Sequence, residues 1–114
     1  MSGVDFARVI ESRRKAESVS GLHFSLWIGD SDEDPRAHAE RLHEGLSAPD
    51  RSVYVLCDVR QRALEIVTGS AARQTLTDEE CELATSSMRD VLATGDISSA
   101  LVKGLEHLGT YALE

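Results

Sequence analysis

The stretch Ser52 to Gly69, SVYVLCDVRQRALEIVTG, decides how the rest of this chain must be read. From Ser52 to Asp58 the apolar side chains fall at odd and even positions alike. A strand sends alternate side chains to opposite faces, so a run that is apolar on both needs cover on both, as a central strand has. "VRQR" then turns the chain, and "ALEIVTG" (63–69) returns beside it as a neighbouring strand. The hairpin therefore predicts a sheet with packing on each side.

Toward the N-terminus, residues 4–20 read as a helix with Phe6, Val9, Ile10, Arg13 and Ala16 on one side. Glu11 and Lys15, and likewise Arg13 and Glu17, are spaced for i,i+4 pairing, and Gly21 stops the helix. "LHFSLWIG" (22–29) alternates, with Leu22, Phe24, Leu26 and Ile28 on one face and Trp27 on the other. In "DSDEDPRAHAERLHEGL" (30–46), Asp34 is placed as an N-cap and Pro35 fits the first turn, where its missing N–H costs nothing. Ala39, Leu42 and Leu46 form that helix's apolar stripe.

Toward the C-terminus, Thr77 and Glu80 have capping-box spacing. The helix they start carries Cys81, Ala84, Met88, Val91 and Leu92 on one face, and Gly95 can end it. Asp96 caps a last helix whose stripe includes Ile97, Ala100, Leu101, Gly104, Leu108 and Tyr111. The order is α-β-α-β-β-α-α in a single domain over residues 1–114. The strand–helix–strand unit predicts parallel pairing with a right-handed crossover, and the third strand adds antiparallel. The expected class is α/β (α+β): a small mixed sheet of three to four strands with helices on both faces.

A chain of 114 residues suffices for one core, with an expected radius of gyration of about 13 Å. Twelve basic against twenty acidic residues leave a net charge of −8, which repels polyphosphate backbones and anionic membranes. The charge is uneven: eight acids against Arg89 and Lys103 from Leu76 onward make −6, whereas residues 1–20 carry +1. No run is long enough to span a bilayer, and "MSGVDFARVI" lacks the pattern of a signal peptide, so a cytoplasmic location is expected. Cys57 and Cys81 sit in apolar periodic contexts and read as buried free thiols.

Chemical motifs are few. Asp30-Ser-Asp32-Glu-Asp34 has the alternation that begins a calcium loop, but Pro35 and Arg41 stand where an EF-hand needs glycine and a bidentate glutamate. A solvated, helix-capping loop is the plainer reading. His38 and His43 are five residues apart, at opposite edges of the helix's apolar face, which does not suit zinc. Surface or boundary positions are expected for these two and for His23 and His107. No nucleophile elbow, Cys-x-x-Cys, dinucleotide or Walker motif is present.

The segment "TGSAARQT" (68–75) leaves two readings. Free N–H groups where a helix begins can hold an anion, with Arg73 as the clamp. A single glycine without a lysine makes a poor phosphate loop, however, and Gly69 would then serve only a positive φ at the strand exit. Topology sorts the candidates into two groups. Asp50, Gly69, Arg73 and Asp78 would share one end of the sheet, as an ion or phosphate site. Asp30, Asp58 and Arg62 would share the other, outside the carboxyl ends of the parallel strands, where open α/β sheets usually bind ligands. There Arg60 and Arg62 would suit an anion or small ligand.

The order of "AESVSGLHFSLWIG" (16–29), "SVYVLCDVRQRALEIVTG" (52–69), "LTDEE" (76–80) and "TGDISSALVKGLEHL" (94–108) resembles the TPM domain family. These are the thylakoid acid-phosphatase-like proteins and their bacterial relatives, and a short actinobacterial branch is the nearest in pattern. The likeness runs from about Ile10 to Leu108. It implies a small mixed sheet between helices, and a role as acid phosphatase, calcium binder or protein-interaction module. The family's Asp-Asn-Gly before the central strand is here Asp50-Arg51-Ser52, its two-glycine segment is reduced to Gly69, and Asp78 matches its downstream aspartate. Family members are mostly exported or membrane-anchored. A complete fold with a degenerate site leads us to expect a non-enzymatic module that binds a protein partner, itself or a ligand. The alternative is a weak divalent-metal-dependent acid phosphatase, a phosphomonoesterase with calcium or magnesium on Asp50 and Asp78 and phosphate on Arg73.

Overall fold

In a computed structural model of the chain, which describes residues 3–113, β2 (Ser52–Asp58) lies between β1 (His23–Gly29) and β3 (Ala63–Thr68). β1 runs parallel to β2, in register from His23 opposite Ser52 to Gly29 opposite Asp58. β3 runs antiparallel, from Thr68 opposite Val53 to Ala63 opposite Asp58. All seven residues of β2 are buried, as a strand apolar on both faces requires. The sheet has three strands, the lower of the two expected numbers.

The helices are α1 (Phe6–Ser20), α2 (Pro35–Glu44), α3 (Asp78–Leu92) and α4 (Ile97–Tyr111). Their starts follow from local chemistry. Asp34 accepts the Ala37 N–H with Pro35 in the first turn, Thr77 and Glu80 close a reciprocal capping box, and Asp96 accepts the Ser99 N–H. Helices cover both faces. Phe24, Val53, Val55 and Leu64 join the core made by α1, α3 and α4, while Tyr54, Leu56 and Val67 pack with Ala39 of α2. The radius of gyration is 12.8 Å.

One helix is turned differently from the sequence expectation. Phe6 and Ile10 are 48% and 40% exposed, and the buried row of α1 is Val9, Ser12, Ala16 and Ser20. The reason is the close contact with α4: a Cβ on Gly109 would stand 3.0 Å from the Ala16 Cα. Small residues let the two backbones approach, so the row that meets α4 is the small one. Phe6 and Ile10 are left beside the free edge of β1. Of the two expected ion pairs on α1, Arg13–Glu17 forms at 3.8 Å.

Candidate functional site

The two ends of the sheet carry the expected groups apart from Asp78, which lies along the free edge of β3. At the carboxyl end of the parallel strands, Asp58 is fully buried. Its carboxylate accepts the Ser31 N–H at 3.1 Å, the Gln61 N–H at 2.9 Å and the Gln61 Nε2 at 2.8 Å. Burial alone would raise its pKa. The hydrogen bonds from Gln61 and Ser31, with the nearby Arg60 charge, outweigh that and hold it below the usual aspartate range. Asp58 thereby ties the β1–α2 loop to the β2–β3 turn, and its bonding capacity is taken up internally. Asp30 and Arg62 are exposed, and Arg62 turns the chain with a φ of 52°. Arg60 reaches the Ser31 carbonyl at 3.5 Å.

Ser31 also links to α2, its Oγ lying 2.7 Å from His38 Nδ1, and the His38 ring stands edge-on to Trp27. At the far end of the same helix His43 Nε2 donates to the Ser52 carbonyl at 3.0 Å. Both histidines are buried, which corrects the expectation of surface or boundary positions. Their five-residue spacing sends one to each end of the sheet, where each meets a polar group that the strand ends leave open.

At the other end Asp50, Gly69 and Arg73 do come together. Gly69 N–H donates to the Ser52 carbonyl and Ala71 N–H to the Asp50 carbonyl, each at 3.0 Å. The amides that would cradle an anion thus hold the turn at Pro49–Arg51 (a short 3-10 helix). The Arg73 guanidinium donates to the Thr68 carbonyl at 2.6 Å. Gly69 does not have a positive φ. It is glycine because a Cβ would overlap the carbonyl oxygens of Pro49 and Asp50. The close approach, not the backbone twist, sets the residue.

Asp78 is the first residue of α3 and lines a different feature, a cleft of about 710 Å³ along the free edge of β3. Arg36, Glu65, Glu82 and Arg89 share it. Arg36 is engaged there, donating to the Ile66 carbonyl at 2.8 Å and standing 3.6 Å from Glu65. Among the described residues no three His, Cys, Asp or Glu side chains converge as metal ligands. Cys81 floors this cleft, and burial together with Asp78 and Glu80 pushes its thiol up to about 12. Cys57, mid-strand in β2, is pushed up to about 11 by burial and Asp58. Both are free and buried. A thiol at about 11 is ionised to about one part in a thousand at pH 8. A disulfide reagent should therefore leave the native protein unlabelled and titrate two thiols in guanidinium; rapid native labelling would mean the core opens.

A second groove, of about 440 Å³, runs between α1 and the free edge of β1. Phe6, Ile10, Leu26 and Ile28 make its apolar walls, with Arg13 and Tyr54 also on its lining. Burial raises the Tyr54 pKa, so the ring remains a neutral phenol. Sequence reading missed this groove because α1's apolar row was assigned to the core. The clue was that Phe6 and Ile10 widen the stripe beyond what one helix contact needs.

A family model described as a domain of unknown function, DUF5130, matches residues 3–109. The chain belongs to the DUF5130 family. No curated protein matches it. Three solved structures share the fold of this DUF5130 domain at 14% identity, each aligned over 96% of the chain. They are the NMR structures of BA42 from the psychrophilic bacterium Bizionia argentinensis, with TM-score 0.83 over 81% of that chain, and of the N-terminal domain of cg2496 from Corynebacterium glutamicum, with 0.80 over 72%. The third is the N-terminal domain of a P. gingivalis protein, with TM-score 0.81 over 76%. At that identity the likeness speaks of fold alone. No helix among the described residues is long and apolar enough to cross a membrane.

Proposed function

We propose that this DUF5130 domain is a TPM-like, non-enzymatic module that binds a protein partner or itself. The observation that carries the reading is the apolar groove beside β1, where Phe6 and Ile10 stay substantially exposed side by side with Leu26 and Ile28. Large apolar side chains grouped on a surface favour contact with another chain. The internal commitments of Gly69, Arg73 and Asp58 support it as well, since each holds a turn or a strand end together. The TPM likeness rests on the order and spacing of the quoted segments.

The alternative, a weak divalent-metal-dependent phosphomonoesterase, draws on the β3-edge cleft, where Asp78 lies with Arg36 and Arg89. Three acids against two arginines make that cleft a poor phosphate seat, and among the described residues its acids do not converge as ion ligands. Two measurements separate the readings. Hydrolysis of p-nitrophenyl phosphate, from acidic to neutral pH with and without calcium, magnesium or manganese, is expected to stay at the buffer rate. Millimolar ion is likewise expected to leave the melting temperature unchanged, because a bound ion would raise it by mass action. Turnover abolished by Asp78→Ala would replace the first reading with the second.

A further inference from the structure

The free edge of β1 has a polarity that can be fixed. Gly29 C=O accepts the Val59 N–H at 2.8 Å, on the β2 side. Phe24 points the other way: its N–H donates to Glu17 Oε2 at 2.9 Å and its C=O accepts from Arg13 Nη1 at 3.4 Å. In a strand, alternate residues direct both main-chain groups to the same side. Leu26 and Ile28 therefore direct theirs outward with Phe24, into the groove. No turn, cap or side chain among the described residues takes these groups. The Arg13–Glu17 clip closes the edge at Phe24 and leaves it open from Leu26 onward.

We propose that this groove takes an extended peptide segment of a partner protein as a fourth strand, hydrogen-bonded to Leu26 and Ile28 and packed against Phe6 and Ile10. The proposal rests on the interaction-module reading above and specifies its partner. An unpaired edge of donors and acceptors is satisfied by another extended backbone, and a neighbouring apolar helix reads every second side chain. The peptide accordingly alternates, apolar toward α1 and polar toward solvent. An acidic residue at its Phe24 end would meet Arg13, the one charged side chain among the groove's described lining residues, in a segment (residues 1–20) that carries +1 in this −8 chain. A second copy fits less well. It would bring the same net charge of −8 and its own α1 to the same edge.

The test selects random linear dodecapeptides on phage against the full chain, then titrates the enriched peptide into the 15N-labelled protein. Amide perturbations are expected at residues 6–13 and 24–28, with hydrogen exchange at Leu26 and Ile28 slowed about tenfold or more on binding. Ile28→Pro removes an outward N–H from an edge strand, where proline is tolerated, and Ile10→Ser alters an exposed wall. Each should weaken binding about tenfold with the free protein's spectrum otherwise intact. Perturbations confined to the β3-edge cleft would overturn the groove assignment and leave the interaction reading standing. The absence of any enriched peptide would also overturn it, and the phosphatase assay then judges the broader reading on its own. Concentration-dependent dimers protecting Leu26 and Ile28 would replace the peptide with a second copy.

Discussion

Gly69→Ala is expected to cost about 3 kcal/mol or more of folding stability, the range of overpacked or backbone-strained sites. The added methyl would meet main-chain oxygens of Pro49 and Asp50, not the end of a flexible side chain. Nothing nearby can rotate aside. Relief would require moving the turn at Pro49–Arg51, and with it the Gly69–Ser52 and Ala71–Asp50 hydrogen bonds. Since β2 begins at Ser52, the disturbance reaches the middle of the sheet. Urea unfolding followed by circular dichroism measures it, with Gly45→Ala as the control. Gly45 ends α2 at a φ of −79°, and its nearest contact for a Cβ is an ordinary 3.6 Å. A Gly69→Ala midpoint no lower than the control's would mean that the two turns do not touch as described.

Loss of the Asp58 carboxylate should be comparably severe. Asp58→Ala leaves the buried Ser31 N–H and the part-buried Gln61 donors without their acceptor, a cost of about 2–3 kcal/mol. Asp58→Asn keeps the shape but turns an amide N–H₂ toward those donors, so it should lose most of the same energy. The pH dependence has a definite sign. Asp58 has a depressed pKa in the folded protein, so its stabilisation is fully present above the ordinary aspartate value of about 3.9. It is lost as pH falls through the lower, folded value. Thermal midpoints measured from pH 6 downward should therefore fall less steeply for Asp58→Asn than for the wild type. Asp96, which accepts Ser99 N–H and Oγ at the start of α4, also has a lowered pKa and acts in the same direction in both proteins. Parallel acid limbs for the two would show that Asp58 is not the buried hub.

The two predictions bear on function as well as stability. The candidate ligand sites at the ends of the sheet are also where the loops are fastened. Asp58 occupies the position at which an open α/β sheet usually meets its ligand, and its own loops fill that position. Two open clefts run along the sheet's free edges, one acidic and one apolar.

Much of the architecture was legible from sequence because it depends on near neighbours. The caps at Asp34, Thr77 and Asp96 act over three residues, and the two-sided apolar run at Ser52–Asp58 announces a central strand by itself. Those features settled the order of elements, the mixed sheet and the cover on both faces. The candidate site was less legible. Asp50, Gly69 and Arg73 were grouped correctly by topology, but the reason for Gly69 lies about twenty residues away in the carbonyls it must pass. Asp78 sits in the β3-edge cleft because α3 is laid along that edge, which no local pattern records.

The sequence by itself therefore determined which segments are helix or strand, and that the middle strand is covered twice. Only the tertiary structure decided which row of α1 is covered, since that depends on how closely Ala16 and Gly109 let two helices approach. It also decided that His38, His43 and Asp58 are inside, because their burial is tolerated only where groups outside their own element supply hydrogen bonds. Periodicity reports the direction of a side chain within its own element. What that side chain then meets is set by the shape of the neighbour.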